Sequence, residues 1–560
     1  MVFSSLLFLF WFVPIFFAVY YLCPAKARNI VLFIGSIVFY AWGEPKFLIL
    51  IFISIFVNYI AGLLMGRFNK KAVLTAALLF DFGMLFVFKY TGFFVENINS
   101  LFGCHIKNPQ LVLPLGISFY TFQIASYVID LYRGKIPCCT DFLTLGTYLV
   151  MFPQLIAGPI VVYEQVESEL KSRRITLSMI EEGIEIFILG LASKVLVANN
   201  VGALWEDIGA MGYENISTPL AWLGVVAYTL QIYFDFNGYS LMAIGLGKML
   251  GFNIPQNFNN PYVSRSLTEF WRRWHITLSS WFRDYVYIPL GGNRKGKLRT
   301  YINLFIVWFL TGFWHGAGWN FIIWGLFFFV FLSLEKLFIG KFLRRHIVIS
   351  RIYSLLLIGL SWMIFAITDF GDLTEYFRCL FVPKGCNAAL YSSAAALASC
   401  ADVLYYLRNY GVIIVIGSIL STPLISGWFN RLGAAGHNGA VLLAGENVGG
   451  EAVGGEPEAG ETVVSEAVSG EIVTGETVGV ETEGSETEIS ETATGETVVG
   501  ETEISETVGG IKVSDGRTYC HNCRDVLTRA LKAVLLLILF IVCVAYLADA
   551  SYNPFLYFRF

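Results

Sequence analysis

FIVWFLTGFWHGAGWNFIIWGLFFFV, residues 305–330, decides how this chain folds. His315 is the one ionisable side chain in the stretch. Apolar stretches of this kind belong to helices that cross about 30 Å of hydrocarbon. An imidazole at that depth must be hydrogen-bonded or face a wet cavity, and intramembrane ionisable groups are candidates for function. Gly312, Gly316 and Gly318 narrow the backbone around it and leave room for something else to approach. Trp314, Trp319 and Asn320 stand beside it, and Asn303 lies near the start of the same run.

The rest of the chain has the same character. Of 560 residues, 56% are hydrophobic and 14% charged, with 49 Phe, 28 Tyr and 13 Trp. That is more apolar surface than a water-soluble core needs. Apolar runs recur at 5–22, 29–42, 47–65, 72–90, 111–129, 142–160, 183–200, 219–237, 300–314, 317–338, 350–367, 388–400, 408–428 and 531–549. They predict an all-α polytopic integral membrane protein with about 11–13 crossings. The opening MVFSSLLFLFWFVPIFFAVYYL lacks a basic leader and a small-residue cleavage site, and reads as a retained span. LVLPLGISFYTF (111–122) and LVMFPQLIAGPIV (149–161) place proline and glycine at membrane depth. Broken backbone there must be shielded by protein or water, which predicts a cavity.

Residues 446–510 carry 17 Glu and no Lys or Arg, and hide a basic remainder of 38 Lys and Arg against 25 Asp and Glu. From Glu446 to Glu506 a glutamate recurs every five residues, a period of neither helix nor strand. The segment 437–512 therefore reads as a solvated spacer, or as a tandem expansion without a role, set between a core over 1–430 and a last span over 530–560. The basic clusters Lys171/Arg173/Arg174, Arg294/Lys295/Lys297/Arg299 and Lys341/Arg344/Arg345 favour cytoplasmic loops. They serve orientation and contact with membrane lipids, or attract a polyanionic donor; Arg294, Lys295 and Lys297 are the candidate donor-binding residues. No motif points to nucleic acid. Cys520 and Cys523 in YCHNCRD supply too few ligands for a closed zinc site, and no metal site is expected.

Two further segments carry candidates. In QIYFDFNGYSLMAIGLGKMLGF (231–252), Asp235 and Asn237 follow an apolar run, and the glycines permit close helix contact. Asp235 is either a structural anchor or a positioning group. SLTEFWRRWHITLSSWFRDYVYIPLGG (266–292) has Trp271, Trp274, Leu278 and Phe282 on one face and Arg272 and Arg273 on others. It reads as an amphipathic helix in the interface plane, with Ser266 or Thr268 as its cap and His275 at its edge. The competing reading folds it into the membrane and brings His275 to the mouth of a tunnel. No GxSxG elbow, phosphate loop or HExxH motif is present. An imidazole with an ordinary pKa of about 6.5 suits a general base. Acyl transfer from a reactive thioester to a hydroxyl fits this inventory. Proton-coupled transport fits it too, although no twofold hydropathy repeat is visible; a scaffold would need no buried histidine.

The chain resembles the membrane-bound O-acyltransferases, within them the bacterial polysaccharide O-acetylase branch. LPLGISFYTFQ (113–123), FPQLIAGPI (152–160), FDFNGYS (234–240), FWRRWHITLSSWFRDYVYIPLGGNRKG (270–296), GFWHGAGWNFIIWG (312–325) and NPFLYFRF (553–560) carry the likeness, as does the opening MVFSS. The resemblance implies helices around a central tunnel, with re-entrant or interfacial segments, in a bacterial cytoplasmic membrane. It makes His315 the catalytic histidine and His275 a second conserved polar position. It implies acetyl-CoA as donor substrate, with no bound cofactor. The acceptor would be an extracytoplasmic polysaccharide, or a partner acetyltransferase of an esterase-like kind within the polysaccharide biosynthesis machinery. A D-alanyl branch uses a carrier-protein thioester instead. Leu241 stands where relatives commonly have aspartate.

Overall fold

The computed structural model describes residues 1–382, 393–424 and 517–549. The acidic repeat and the terminal NPFLYFRF lie outside the described residues. The described residues up to 424 and those of 529–549 belong to one compact unit, and the helical residues 517–528 fall in another. Every regular element among the described residues is helical.

The chain opens with α1 (Phe8–Leu22), α2 (Arg28–Ala41), α3 (Leu48–Met65) and α4 (Lys70–Phe102). Asn69 caps α4 through Oδ1, which accepts from the Lys71 and Ala72 amides. The helix ends at Gly103, whose φ of 63° suits glycine. Then come α5 (Ile117–Arg133), α6 (Phe142–Val150), α7 (Leu177–Ala210) and α8 (Thr218–Leu250). Among the described residues, seven helices are long and apolar enough to cross a membrane: Pro45–Met65, Lys70–Phe102, Leu177–Ala210, Trp319–Arg345, Ile347–Ala366, Asp402–Leu420 and Arg529–Asp549. The α8 helix is as long but is buried on most of its faces. Protein surrounds it, so it can carry polar groups that a lipid-facing span cannot.

Asp235 lies in the middle of α8, not at the end of a span as the apolar run had indicated. The following residues stay helical because glycines let α7 and α8 touch. A Cβ added at Gly238 would stand 2.7 Å from the Gly190 carbonyl oxygen, and one at Gly245 2.5 Å from that of Gly183. The broken stretch 149–161 is buried throughout, and its polar groups find partners. The Phe152 amide donates to Ser36 Oγ, Gln154 Nε2 to the Tyr148 carbonyl and the Ile160 amide to Thr277 Oγ1.

The segment 266–292 is not one interfacial helix. It is a hairpin of two short helices, α9 (Leu267–Arg273) and α10 (Ile276–Phe282), that turns at His275. Ser266 is the cap, accepting from the Glu269 amide. The buried Glu335 carboxylate accepts from the Leu267 and Thr268 amides and from Thr268 Oγ1. Trp271 packs edge-on against Trp308 and Phe328, while Trp281 stacks on Phe122. The aromatic residues of the stripe, Trp271, Trp274 and Phe282, are instead buried against Trp308, Trp362 and Phe122. The periodicity was real, but protein rather than lipid covers it.

After the hairpin come α11 (Lys297–His315), α12 (Trp319–Leu334), α13 (Ile347–Ala366), α14 (Phe370–Phe381), α15 (Ser393–Leu420) and α16 (Arg517–Asp549). The two apolar runs at 388–400 and 408–428 are thus largely one helix. The CxxC of residues 520–523 falls in α16.

The α7–α8 contact makes a direct prediction. Gly245→Ala forces backbone apart and is expected to cost about 1–3 kcal/mol. Gly83→Ala, where an added Cβ meets nothing within 4 Å, is expected to cost nothing. Unfolding midpoints of the detergent-purified variants check both.

Candidate active site

The α11 helix ends inside the protein. Its final residue, His315, is 5% exposed, and its Nδ1–H donates to the Thr311 carbonyl at 2.7 Å. A carbonyl can only accept, so the proton sits on Nδ1 and the basic lone pair on Nε2. The ring packs edge-on against Trp314 and Trp324.

His275 is fully buried at the hairpin tip, not at an interface or a tunnel mouth. Its φ of 43° and ψ of 55° are left-handed, a strained conformation for a side-chain-bearing residue. The neighbouring loop holds it there. Asn259 N donates to the Arg273 carbonyl and Ile276 N to that of Asn257. Asn257 Oδ1 accepts from His275 Nδ1 at 3.1 Å and from Thr277 Oγ1 at 3.0 Å, while its amide nitrogen donates to Ser240 Oγ. This again leaves the imidazole lone pair on Nε2. The Trp314 ring lies 6.2 Å from the His275 ring and 4.9 Å from that of His315, so both imidazoles share one indole.

A cavity of ≈ 80 Å³ reaches His315 and Trp314. Its other walls are Lys89, residues 113–119 and Ile156. The proline and glycine of LPLGIS form this wall: Gly116, at φ 76°, packs so closely on Leu155 and Ile156 that a Cβ would clash with backbone. Lys89 Nζ donates to the carbonyls of Trp314 at 2.6 Å and His315 at 3.1 Å and to Ser118 Oγ at 3.2 Å. Tyr90 donates to the Phe313 carbonyl at 2.6 Å. A larger groove of ≈ 490 Å³ between α1 and α2 is lined by apolar side chains such as Trp11, Ile34 and Trp42, without the convergent polar groups of a reaction site.

The structure gathers His315, Trp314 and His275, and disperses the other candidates. Asp235 pairs with Lys194 at 2.5 Å, both buried, in the α7–α8 interface. Asn237 is half-buried on α8. Asn303 donates to the Gly292 carbonyl and ties down the returning limb of the hairpin. Asn320 donates to the Phe365 carbonyl, and the exposed Trp319 to Asn97 Oδ1. Arg273 pairs with Glu269, and Arg272 is exposed. Arg294, Lys295 and Lys297 are exposed near the start of α11, about 27 Å along that helix from His315 at 1.5 Å per residue. Arg173 is a structural tie, donating to Tyr20 and Asn29. The sequence reading missed Lys89, Asn257 and Glu335. A lysine inside an apolar run was the one available signal.

Residues 138–368 match the model of the membrane-bound O-acyltransferase family. The chain is 40% identical over 391 residues to the probable alginate O-acetylase AlgI of Pseudomonas aeruginosa, covering 68% of this chain and 75% of that protein. It is 36% identical over 405 residues to the peptidoglycan O-acetyltransferase of Helicobacter pylori, covering 65% and 77%. To the teichoic acid D-alanyltransferase of Bacillus subtilis it is 28% identical over 245 residues, covering 42% and 62%.

The Lys194–Asp235 pair is expected to behave as a buried salt bridge. Lys194→Met strands a carboxylate among apolar groups and is expected to cost about 3–5 kcal/mol. The double variant Lys194→Met/Asp235→Leu is expected to recover most of that loss, as read from unfolding midpoints in detergent.

Proposed function

This chain belongs to the membrane-bound O-acyltransferase family, and on that premise we propose that it carries an acetyl group from cytoplasmic acetyl-CoA to an extracytoplasmic hydroxyl, with His315 as general base. That it is a multi-pass O-acyltransferase of the bacterial inner membrane follows from the family, the bacterial relatives and the seven spans. The acceptor in this reading is an extracytoplasmic polysaccharide, or a serine of an esterase-like partner acetyltransferase that passes the group on to it. The names of the relatives, an alginate O-acetylase and a peptidoglycan O-acetyltransferase, support the first.

The tautomer of His315 carries the mechanism. With Nδ1–H held by Thr311, Nε2 can take the proton of an acceptor hydroxyl. The alkoxide oxygen forms a bond to the thioester carbonyl carbon. The tetrahedral intermediate then collapses, the carbon–sulfur bond breaks, and the imidazolium returns its proton to the leaving thiolate. His275, whose ring lies 6.2 Å from that of Trp314, orients the groups near the sulfur. An acetyl-imidazole intermediate at His315 is the two-step form of the same chemistry.

Sidedness comes from charge. The exposed basic loop 293–299 and the Lys336–Arg345 segment lie at the end of α11 and α12 remote from His315, which favours that end as cytoplasmic. The hairpin then enters from the cytoplasm beside Glu335 and carries His275 inward. In this reading the exposed Arg294, Lys295 and Lys297 attract the coenzyme A phosphates. The alternative donor, a carrier-protein thioester, would meet the same basic surface.

His315→Ala is expected to lower O-acetylation in cells by at least about 100-fold at an unchanged protein level, and His275→Ala by about tenfold. Acetyl content of the polymer measured beside protein abundance checks both; normal acetylation in His315→Ala would remove the base. Deleting residues 446–510 is expected to leave turnover within about twofold, since the repeat brings no chemistry to the reaction. Acetyl transfer by the deleted form checks this.

A further inference from the structure

The last three carbonyls of α11 are bound by two consecutive side chains of α4. Tyr90 takes Phe313, and Lys89 takes Trp314 and His315. A helix end buried without partners is costly, because its final carbonyls have no intrahelical donors. Here the chain beyond His315 offers little. Gly316, Ala317 and Gly318 form the whole link to α12, and only the Gly316 amide folds back, at 3.4 Å to Gly312. The ammonium also lies 5.8 Å over the Trp314 ring, the indole that both imidazoles approach. Among the described residues no carboxylate stands within ion-pair distance of Lys89.

We propose that Lys89 is a positioning residue of the acyl-transfer site: by binding the Trp314 and His315 carbonyls it fixes the last turn of α11 and thereby the place of the His315 imidazole in the cavity. This rests on the reading of His315 as the base. Three donors leave an ammonium, and all three are spent on Trp314, His315 and Ser118. Lys89 therefore acts through the helix and not on the reacting carbonyl. Its charge suits the place, since a cation at a helix C-terminus opposes the negative end of the dipole. Ser118 completes the arrangement by tying the start of α5, and with it the Pro114–Gly116 wall, to the same ammonium. One side chain thus holds three sides of the cavity in register. A lysine in a span has a high cost in lipid, and here it meets that cost with protein carbonyls.

The test uses the full chain in proteoliposomes with acetyl-CoA and a hydroxyl acceptor, beside an activity-independent probe. That probe is the rate at which diethyl pyrocarbonate modifies His315, read by peptide mass spectrometry. For Lys89→Met, kcat per folded molecule is expected to fall about 100-fold with KM within about threefold, the pattern of a misplaced catalytic group. The His315 modification rate is expected to change at least about fivefold, and Lys89→Arg, which keeps charge and donors, to regain at least about tenfold in kcat. If Lys89→Met does not accumulate as monodisperse protein, Tyr90→Phe carries the test, with kcat lowered about tenfold at unchanged KM. Wild-type kcat in these variants, or lost kcat with His315 modified at the wild-type rate, overturns the proposal. A wild-type protein that transfers no acetyl group sinks the reaction reading alone, and the modification rates still decide the role of Lys89.

Discussion

A helix that stops in the interior of a membrane protein must find donors for its last carbonyls, and the site follows from how α11 meets that demand. The glycine-rich link after His315 offers only the Gly316 amide, which turns back to Gly312. The α4 helix supplies the donors, Lys89 and Tyr90. The imidazole at the end of α11 is consequently held from two directions, by Thr311 within its own helix and by α4 through its carbonyl. A side chain at a frayed helix end would sample many positions. This one is restricted to a small cavity walled by residues 113–119.

The hairpin of α9 and α10 solves a matching problem. Two short helices are too weak to stand alone, and each terminus is fixed by a distant group. Glu335 binds the entering end, Asn303 holds the returning limb, and Asn257 grips the tip. The left-handed backbone at His275 is tolerated because the Asn257–Asn259 segment pairs with it on both sides. Strain at that one residue is what aims the second imidazole toward the Trp314 indole. Within an acyl-transfer reading, the result is two imidazoles of fixed orientation in contact with one indole, with His315 as the base and His275 as the group that orients.

Much of this was legible in the sequence. Periodic apolar runs gave the membrane class. His315 stood out because a lone ionisable group in residues 305–330 has few structural excuses, and the glycines of residues 238–251 announced the tight α7–α8 contact that Gly238 and Gly245 make. Proline and glycine at 114–116 did mark a cavity wall. The misreadings share a cause. Asp235 looked like a span end because a carboxylate was set against apolar neighbours, while its cation, Lys194, lies on another helix. Residues 266–292 looked interfacial because a helical stripe is the same whether lipid or protein covers it. Lys89 passed unnoticed because the two carbonyls it binds are more than two hundred positions away. Local pattern reports which residues are amphipathic; only the assembled helices report what they touch.

The most direct test of the account is sidedness of transfer. Sealed proteoliposomes holding the full chain would receive carbonyl-labelled acetyl-CoA only at the face bearing the 293–299 loop, with a hydroxyl acceptor enclosed on the other. The account predicts label on the enclosed acceptor while coenzyme A stays outside. Label confined to the donor side, or an acceptor that crosses the bilayer unmodified, would contradict it.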